Sequence, residues 1–409
     1  MEEEKKKLVA VTVVLSLVEA IIYYVLSTKG QLNNNWLITF MSYAMPMGFL
    51  FFINYYLMAP GLIYIGRLFW HLGGHYEYIS NEFSKITTKG VAWLIDCNVH
   101  WGVIDNTTEC QNANTCEGIL AIKKAKLNLR YSIIYSEALK EVLNNTTIYG
   151  LASKSLRRET VVCTSMILYI YANENSTELE QLRPKFNDIA KRLWEVRSEN
   201  GWGVYVEKAK NVDCNFANTF WALRALNQYH ELVSVQEFGY MVRNIYELSS
   251  DSLFGFARGD TPRLSVTSMA VVFYFHLDEN IRAEIDAVFN VSNAIAFIFK
   301  QFCVKGIECE LETLHGLAKQ NQSVKKAPWT HITIGFAVEA LVLAYKSDKL
   351  SLAKMDAVIE RIKLICKKQL VYINEQHCYY VPKNMETRAD GKWTFPTAYL
   401  IWALSQFDF

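Results

Sequence analysis

The sequence predicts an all-α protein: an N-terminal transmembrane helical hairpin followed by a ring of six helical hairpins. Three observations support this prediction. Two long apolar stretches begin the chain, six apolar runs that each carry a threonine recur after residue 80, and amphipathic segments precede most of those runs. Recurrence every few tens of residues is typical of folds built from one repeated supersecondary unit.

The first 72 residues predict a transmembrane hairpin with an interfacial connector. Residues 8–26 and 36–58 each have about the 20 residues that a helix needs to cross a bilayer. Three lysines precede the first stretch and Arg67 follows the second, whereas the turn between them holds only Lys29. The positive-inside rule therefore puts both termini in the cytosol. A cleaved signal peptide is the alternative, although a small-residue cleavage site is missing.

Glu19 interrupts the first apolar stretch. An ionisable side chain inside a bilayer is costly unless it finds a partner or faces water. We therefore expect packed membrane helices, in which Glu19 either lies in a helix contact or lines a pore. Because two spans cannot form a channel alone, a pore requires a symmetric homo-oligomer.

Residues 80–409 are predicted to form a domain of helical repeats. Six segments align on a threonine: Thr115, Thr164, Thr219, Thr267, Thr333 and Thr397. The spacings are 49, 55, 48, 66 and 64 residues. The amphipathic segments suit outer helices and the apolar runs suit buried inner helices, so each unit is interpreted as a helical hairpin. Six hairpins can close into a ring, and an open solenoid is the alternative.

The turns between the helices carry a family resemblance. Asn200-Gly201-Trp202-Gly203 precedes the inner run NFANTFWALRAL, with partial matches at Trp101-Gly102 and Phe254-Gly255-Phe256. This pattern resembles the α/α-toroid of terpene cyclases and protein prenyltransferases. The resemblance implies a central cavity with either an aspartate-rich motif or a zinc held by Asp-x-Cys and a later histidine. The chain has no DxDD or DDxxD, and Asp213-Cys214 has the wrong spacing for zinc.

The sequence offers no catalytic constellation. It has no nucleophile elbow, phosphate-binding loop or dinucleotide fingerprint. A single histidine at the start of an inner run, His331, is more often a capping or core residue than a metal ligand. The net charge of +1 and nine scattered cysteines indicate neither a charged partner nor a disulfide framework. We therefore expect a non-enzymatic binding domain without cofactor or metal.

Basic residues in the turns before the inner helices are expected to surround the mouth of the cavity. Free N–H groups of helix N-termini at the same end also favour an anion. Tryptophans in these turns can stack on nucleobases. Twelve basic residues face eight acidic ones, so ordinary charged loops are the alternative interpretation. The predicted ligand-binding residues are Lys154, Arg157, Arg158, Trp202, Lys208, Lys210, Arg224, Arg258, Arg263, Lys325, Lys326, Trp329, His331, Arg388, Lys392 and Trp393.

Arg224 is the least ordinary of these residues, because it interrupts an apolar inner run where a solvated position is not expected. It either pairs with a buried carboxylate or faces the cavity.

These features favour a non-enzymatic membrane effector that an anionic nucleotide or short single-stranded oligonucleotide controls. The layout is similar to Hailong-type bacterial antiphage membrane effectors, which implies an oligomeric ion channel in the bacterial inner membrane. The lipid bilayer, the anionic ligand and further copies of the chain would be the partners. Two alternatives stay open: a membrane-bound terpenoid cyclase or prenyltransferase, and a scaffold that binds a protein.

Overall fold

A computed structural model describes residues 75–96, 112–125, 132–153, 158–174, 177–207, 214–229, 231–305, 330–373, 378–381 and 394–407. The chain divides into two compact units, Met1–Asn81 with Phe409 and Glu82–Asp408. The described part of the first unit is residues 75–81, which begin a helix. The predicted transmembrane hairpin of residues 1–72, with Glu19, lies outside the described residues.

Helices alternate along the chain between an outer and an inner position. The outer helices are α1 (His75–Asp96), α3 (Ser132–Asn144), α5 (Arg183–Glu195), α7 (Val235–Glu247), α9 (Glu279–Asp286), α10 (Val291–Phe299) and α12 (Leu352–Gln369). The inner helices are α2 (Asn112–Lys124), α4 (Val161–Ala172), α6 (Phe216–Leu226), α8 (Leu264–His276), α11 (Thr330–Lys346) and α13 (Thr394–Leu404). Within the described ranges this gives six hairpins, because α9 and α10 together form the outer member of the fifth.

The inner helices form a closed ring. Each contacts the next in the order α2, α4, α6, α8, α11 and α13, and α13 then contacts α2. An open solenoid would leave its first and last inner helices apart. The contact between α13 and α2 therefore excludes the open solenoid. The helical toroid predicted from the threonine repeat is therefore confirmed in outline.

Apolar patterning explains why the two sets of helices occupy different places. Every residue of α13 is buried, as an inner helix surrounded by other helices requires. The outer helix α7 instead buries one stripe, formed by Phe238, Met241, Val242, Ile245 and Tyr246. These positions recur at the three- and four-residue spacing that makes one apolar helix face. The outer helices therefore cover the inner ring and present their polar faces outward.

Four of the repeated threonines hold the turn that leads into their inner helix. Their hydroxyl oxygens accept the backbone N–H of a turn residue at 2.9–3.1 Å, in the pairs Thr164 with Leu151, Thr219 with Trp202, Thr267 with Phe254 and Thr397 with Val381. The turns approach so closely that a Cβ added at Gly150 would lie 2.4 Å from the Thr164 hydroxyl. A Cβ added at Gly201 would lie 2.3 Å from that of Thr219. This shared contact is the physical reason for the sequence period.

Two small antiparallel sheets lie in the turns, which the all-α prediction did not include. Strands β1 (Thr146–Thr147), β2 (Gly150–Ser153) and β3 (Arg158–Glu159) pair in that order before α4. Strands β4 (Val371–Ile373) and β5 (Cys378–Tyr380) form a hairpin before α13, with Tyr372 opposite Tyr379. Both sheets are extensions of the turns and leave the helical architecture unchanged.

No single helix of the described segments has both the length and the apolar composition to cross a membrane. One sharply bent pair, Glu279–Asp286 with Val291–Val304, meets the same criteria of length and composition when its members are taken together.

Candidate active site

Two carboxylates lie within the apolar inner ring. Glu117 is on α2 and Glu339 is on α11, and their exposed fractions are 7% and 1%. Both side chains contact α13, where Tyr399 bonds to Glu117 and Trp402 bonds to Glu339. Tyr399 and Trp402 are three residues apart, so their positions differ by about 4.5 Å along the helix axis. The carboxylates therefore lie at neighbouring levels of one ring.

Glu117 is a buried carboxyl group with one free oxygen. The Tyr399 hydroxyl donates to its Oε1 at 3.1 Å, while its Oε2 has no hydrogen-bond partner in the described part of the chain. Burial raises the pKa of Glu117 to about 8, and the Tyr399 hydrogen bond opposes this rise only in part. The group is therefore mostly protonated at neutral pH, and it holds a proton that it can donate.

Glu339 has the opposite protonation state, because cations surround it. The Lys124 ammonium lies 2.5 Å from its Oε1 and the Arg224 Nη2 lies 3.3 Å from the same atom. The Trp402 indole N–H donates to its Oε2 at 2.8 Å. Burial alone would raise its pKa, but the Lys124 and Arg224 charges outweigh burial and hold the pKa at about 2. Glu339 is therefore ionised, and it is too weak a base to activate water.

Aromatic rings enclose the Arg224 guanidinium. Its carbon lies 4.8 Å from the ring centre of Tyr169, 5.4 Å from that of Trp402 and 5.8 Å from that of Trp221. Its Nη2 also contacts the Tyr169 hydroxyl at 3.4 Å. The sequence left open whether Arg224 pairs with a carboxylate or faces the cavity, and it pairs with Glu339.

Ten of the predicted ligand-binding residues lie outside the described residues: Lys154, Arg157, Lys208, Lys210, Lys325, Lys326, Trp329, Arg388, Lys392 and Trp393. His331 lies in the first turn of α11, and its side chain also lies outside the description. These positions stay predictions.

The described members of the predicted set lie in different surroundings. Arg158 and Arg258 are exposed, and Arg263 lies over the Phe256 ring at 4.6 Å. The Trp202 ring is fully buried and donates to the Leu193 carbonyl at 2.6 Å, so it packs between an outer and an inner helix. Arg224 is the predicted residue that joins the buried cluster of charges.

Sequence reasoning missed Glu117, Glu339, Lys124 and Tyr399. The available signal was the one that singled out Arg224, namely an ionisable residue inside an apolar inner run. Glu117 interrupts the run NANTCEGILAI and Glu339 interrupts WTHITIGFAVEAL. Within the described segments, no group of three or more His, Cys, Asp or Glu side chains is arranged to hold a metal ion.

A groove of about 1060 Å³ lies outside the ring. It is lined by residues of α5, α7 and α9 and by the turn after α5, among them Arg197, Tyr240 and Glu284. All of these elements are outer ones. The groove is thus separate from the carboxylates of the inner ring.

The closed ring of helical hairpins defines the class of fold as an α/α-toroid. Two similar solved structures are those of the α-1,6-mannanase GH76A from Salegentibacter sp. HEL1_6. One is an inactive variant with two consecutive aspartates replaced by asparagine, in complex with α-1,6-mannotriose; it has a TM-score of 0.57 and 10% identity, covering 80% of this chain and 99% of that chain. The other structure of this mannanase has a TM-score of 0.56 and 10% identity, and the match covers 79% of this chain and 98% of that chain. No family model and no curated protein matches the chain.

These matches correct several predictions. These two solved toroids belong to an α-1,6-mannanase, which is a glycoside hydrolase, so the assignment to the terpene cyclases and prenyltransferases is wrong. Both neighbours are enzymes, which contradicts the prediction of a non-enzymatic membrane effector with an ion channel and an antiphage role. The error has a physical cause, because the packing of helical hairpins produces the same repeat pattern in unrelated families. The predicted bilayer, homo-oligomer and inner-membrane location stay predictions.

Proposed function

We propose that this toroid is a glycoside hydrolase in which Glu117 is the general acid. The observation that carries the proposal is the buried carboxyl group of Glu117, whose pKa is raised to about 8 and whose Oε2 is unpartnered among the described side chains. In hydrolysis a protonated carboxylic acid gives its proton to the leaving oxygen as the glycosidic bond breaks, and water supplies the hydroxyl group to the sugar carbon and the proton that restores the acid. Burial in the inner ring supplies that protonation state.

The catalytic groups of this chain differ from those of the similar mannanase. The inactive variant of that enzyme has lost two consecutive aspartates. This chain has no two consecutive aspartates at any position. A hydrolase built on this sequence must therefore take its acid from elsewhere, and Glu117 is a buried carboxyl group of the described inner ring with a free oxygen.

The surroundings of Glu117 support a sugar ligand. Trp221 stands two residues after Thr219, as Glu117 does after Thr115 and Tyr399 does after Thr397. The three side chains thus share one register in the repeat, and Trp402 links two of them, with its ring centre 6.0 Å from that of Tyr399 and 6.3 Å from that of Trp221. Aromatic surfaces beside a few polar groups are typical of pockets that bind small molecules.

The two carboxylates have separate roles in this proposal. Glu117 donates the proton, whereas Glu339 is held ionised by Lys124 and Arg224 and fixes the position of Trp402. Since Trp402 and Tyr399 lie on neighbouring turns of α13, the same contact keeps the Tyr399 hydroxyl against Glu117. Glu339 is therefore a positioning residue.

The test is cleavage of defined oligosaccharides by the purified full-length protein. The panel begins with α-1,6-mannotriose, because one of the similar structures is a complex with this trisaccharide. It extends to other linkages and sugars. Released products are separated and quantified by chromatography. We expect Glu117→Gln to lower the rate by about 100-fold or more, the range that one acid–base group contributes. Glu360→Gln, which alters an exposed carboxylate of α12, is the matched control and should retain the rate.

The pH dependence gives a second criterion. Because the protonated form of Glu117 is the active one, the rate should fall as pH rises through about 8. The Tyr399 hydrogen bond lowers the pKa of Glu117, so Tyr399→Phe should move this fall to higher pH. The proposal fails if no glycan of the panel is cleaved, or if Glu117→Gln cleaves as fast as the control variant.

A further inference from the structure

A second group of polar side chains lies toward the C-terminal ends of the inner helices. α2 ends at Lys124, α8 ends at His276, and Arg224 is in the last turn of α6. The threonine-held turns and the predicted basic mouth are at the opposite, N-terminal ends. Cations at helix C-termini are favoured by the helix dipoles, which explains in part why they are there.

The charges of this group do not cancel. Among the described residues, Lys124 and Arg224 provide two positive charges and Glu339 provides one negative charge within contact distance. His276 is mostly neutral at pH 7, because burial of its ring and the nearby Arg224 lower its pKa. The group of Lys124, Arg224 and Glu339 thus has one uncompensated positive charge, and its Arg224 side chain is only 4% exposed.

Arg224 also has hydrogen-bond donors without acceptors. A guanidinium carries five N–H groups, and here Nη2 contacts Glu339 and Tyr169. The buried Nε and Nη1 atoms have no hydrogen-bond partner among the residues that the structure describes. A buried donor that lacks an acceptor costs free energy, more so when the donor is charged. The cost would be relieved by an anion that accepts these N–H groups.

We propose that this end of the ring binds a small oxyanion, a phosphate or a carboxylate, through the free N–H groups of Arg224 and the ammonium of Lys124. A guanidinium and an ammonium side by side are the groups that recognise such anions in proteins. Access is provided at the rim, where the Lys124 side chain is 22% exposed. The bound anion would balance the leftover charge of the Lys124, Arg224 and Glu339 group.

This site and the proposed general acid are separate, although Glu339 contributes to both, as a positioning residue in the hydrolase and as the ion-pair partner of Lys124 and Arg224 here. Glu117 is seven residues before Lys124 on α2, about 10 Å away along the helix axis. The two experiments are therefore distinguishable: failure of glycan cleavage leaves the free N–H groups of Arg224 available to an anion, and failure of anion binding leaves Glu117 as the proposed acid.

The experiment measures binding of inorganic phosphate and of acetate to the full-length protein by calorimetry, and the shift of the melting temperature Tm. Sodium chloride at equal ionic strength corrects for general salt effects. We expect saturable binding of at least one anion, with Tm raised by about 3 to 5 °C at one hundred times Kd. The two anions distinguish a phosphate site from a carboxylate site.

A pair of neighbouring lysines provides matched variants. Lys124→Gln removes a proposed ligand group and should raise Kd about tenfold or more. Lys123→Gln removes the same charge from the next residue, whose ammonium contacts Glu174 instead, and should leave Kd within twofold. Circular dichroism verifies that both variants are folded.

Three results would overturn the proposal. Neither anion binds the wild-type protein; the Tm shift equals that in chloride; or the two lysine variants bind equally well. The first two use the unaltered protein, so they decide the matter even if Lys124→Gln does not fold.

Discussion

Replacing Glu117 by Gln should remove a large part of the pH dependence of stability. The pKa of this carboxyl is about 8 in the folded chain, against an ordinary value of 4.5. Between these values the folded state keeps a proton that the unfolded state releases, so the free energy of unfolding falls as pH rises. The slope is about 1.4 kcal/mol for each pH unit. From pH 5.5 to pH 7.5 the wild type should therefore lose about 3 kcal/mol through Glu117 alone.

The assay is urea unfolding of wild type and Glu117→Gln at pH 5.5, 6.5 and 7.5. Contributions of other groups cancel in the difference between the two proteins, because those groups are the same in both. The stability of the variant relative to wild type should increase by about 3 kcal/mol across this range. Parallel curves for the two proteins would refute the reasoning, since they would mean that Glu117 ionises in the folded ring as it does in water.

Three further perturbations test the ring. Glu339→Gln leaves the Arg224 charge buried without its carboxylate and should lower the free energy of unfolding by about 3 to 5 kcal/mol, measured in urea. The pKa of Glu339 in the wild type is about 2, below the ordinary 4.5. The wild type should therefore lose this advantage over the variant as pH falls from 4.5 towards 2. Thr219→Val removes the acceptor of a buried turn N–H and should cost about 1 to 3 kcal/mol, whereas Thr219→Ser should retain most of the stability. Gly150→Ala should cost more in Tm than Gly259→Ala, because both glycines have positive φ but only the first meets a neighbour within 4 Å.

The fold was predictable from the sequence because its main contact involves a specific residue type. A threonine recurs at each inner helix and accepts a turn N–H at four of them, so it leaves a visible period even though the helix sequences differ. Ring closure was one of two arrangements that the sequence allowed, and the contact between α2 and α13 decides for it against an open solenoid. The short strands before α4 and α13 were not predicted, because two- to four-residue pairings leave no alternating pattern.

The candidate site was predictable only in part. Arg224 was recognised by its place in an apolar run, and its pairing with a carboxylate was one of two stated possibilities. Its partner could not be chosen, because Glu339 is 115 residues away in sequence and the pairing depends on the ring. The family could not be identified from helical packing alone, since several enzyme classes share it. The basic turns led instead to a functional interpretation that the structural neighbours contradict.

The contact between Tyr399 and Glu117 joins residues that are 282 positions apart. A ribosome that adds about 5 to 20 residues each second needs roughly 15 to 55 s to travel between them. During that interval α2 has emerged while α13, its final neighbour, does not yet exist. The nascent chain therefore carries an uncovered apolar flank with an acidic group at its centre, and an ionised Glu117 would keep that flank hydrated until the last hairpin arrives. The same carboxyl that becomes an acid in the finished ring is a solubilising charge in the growing chain.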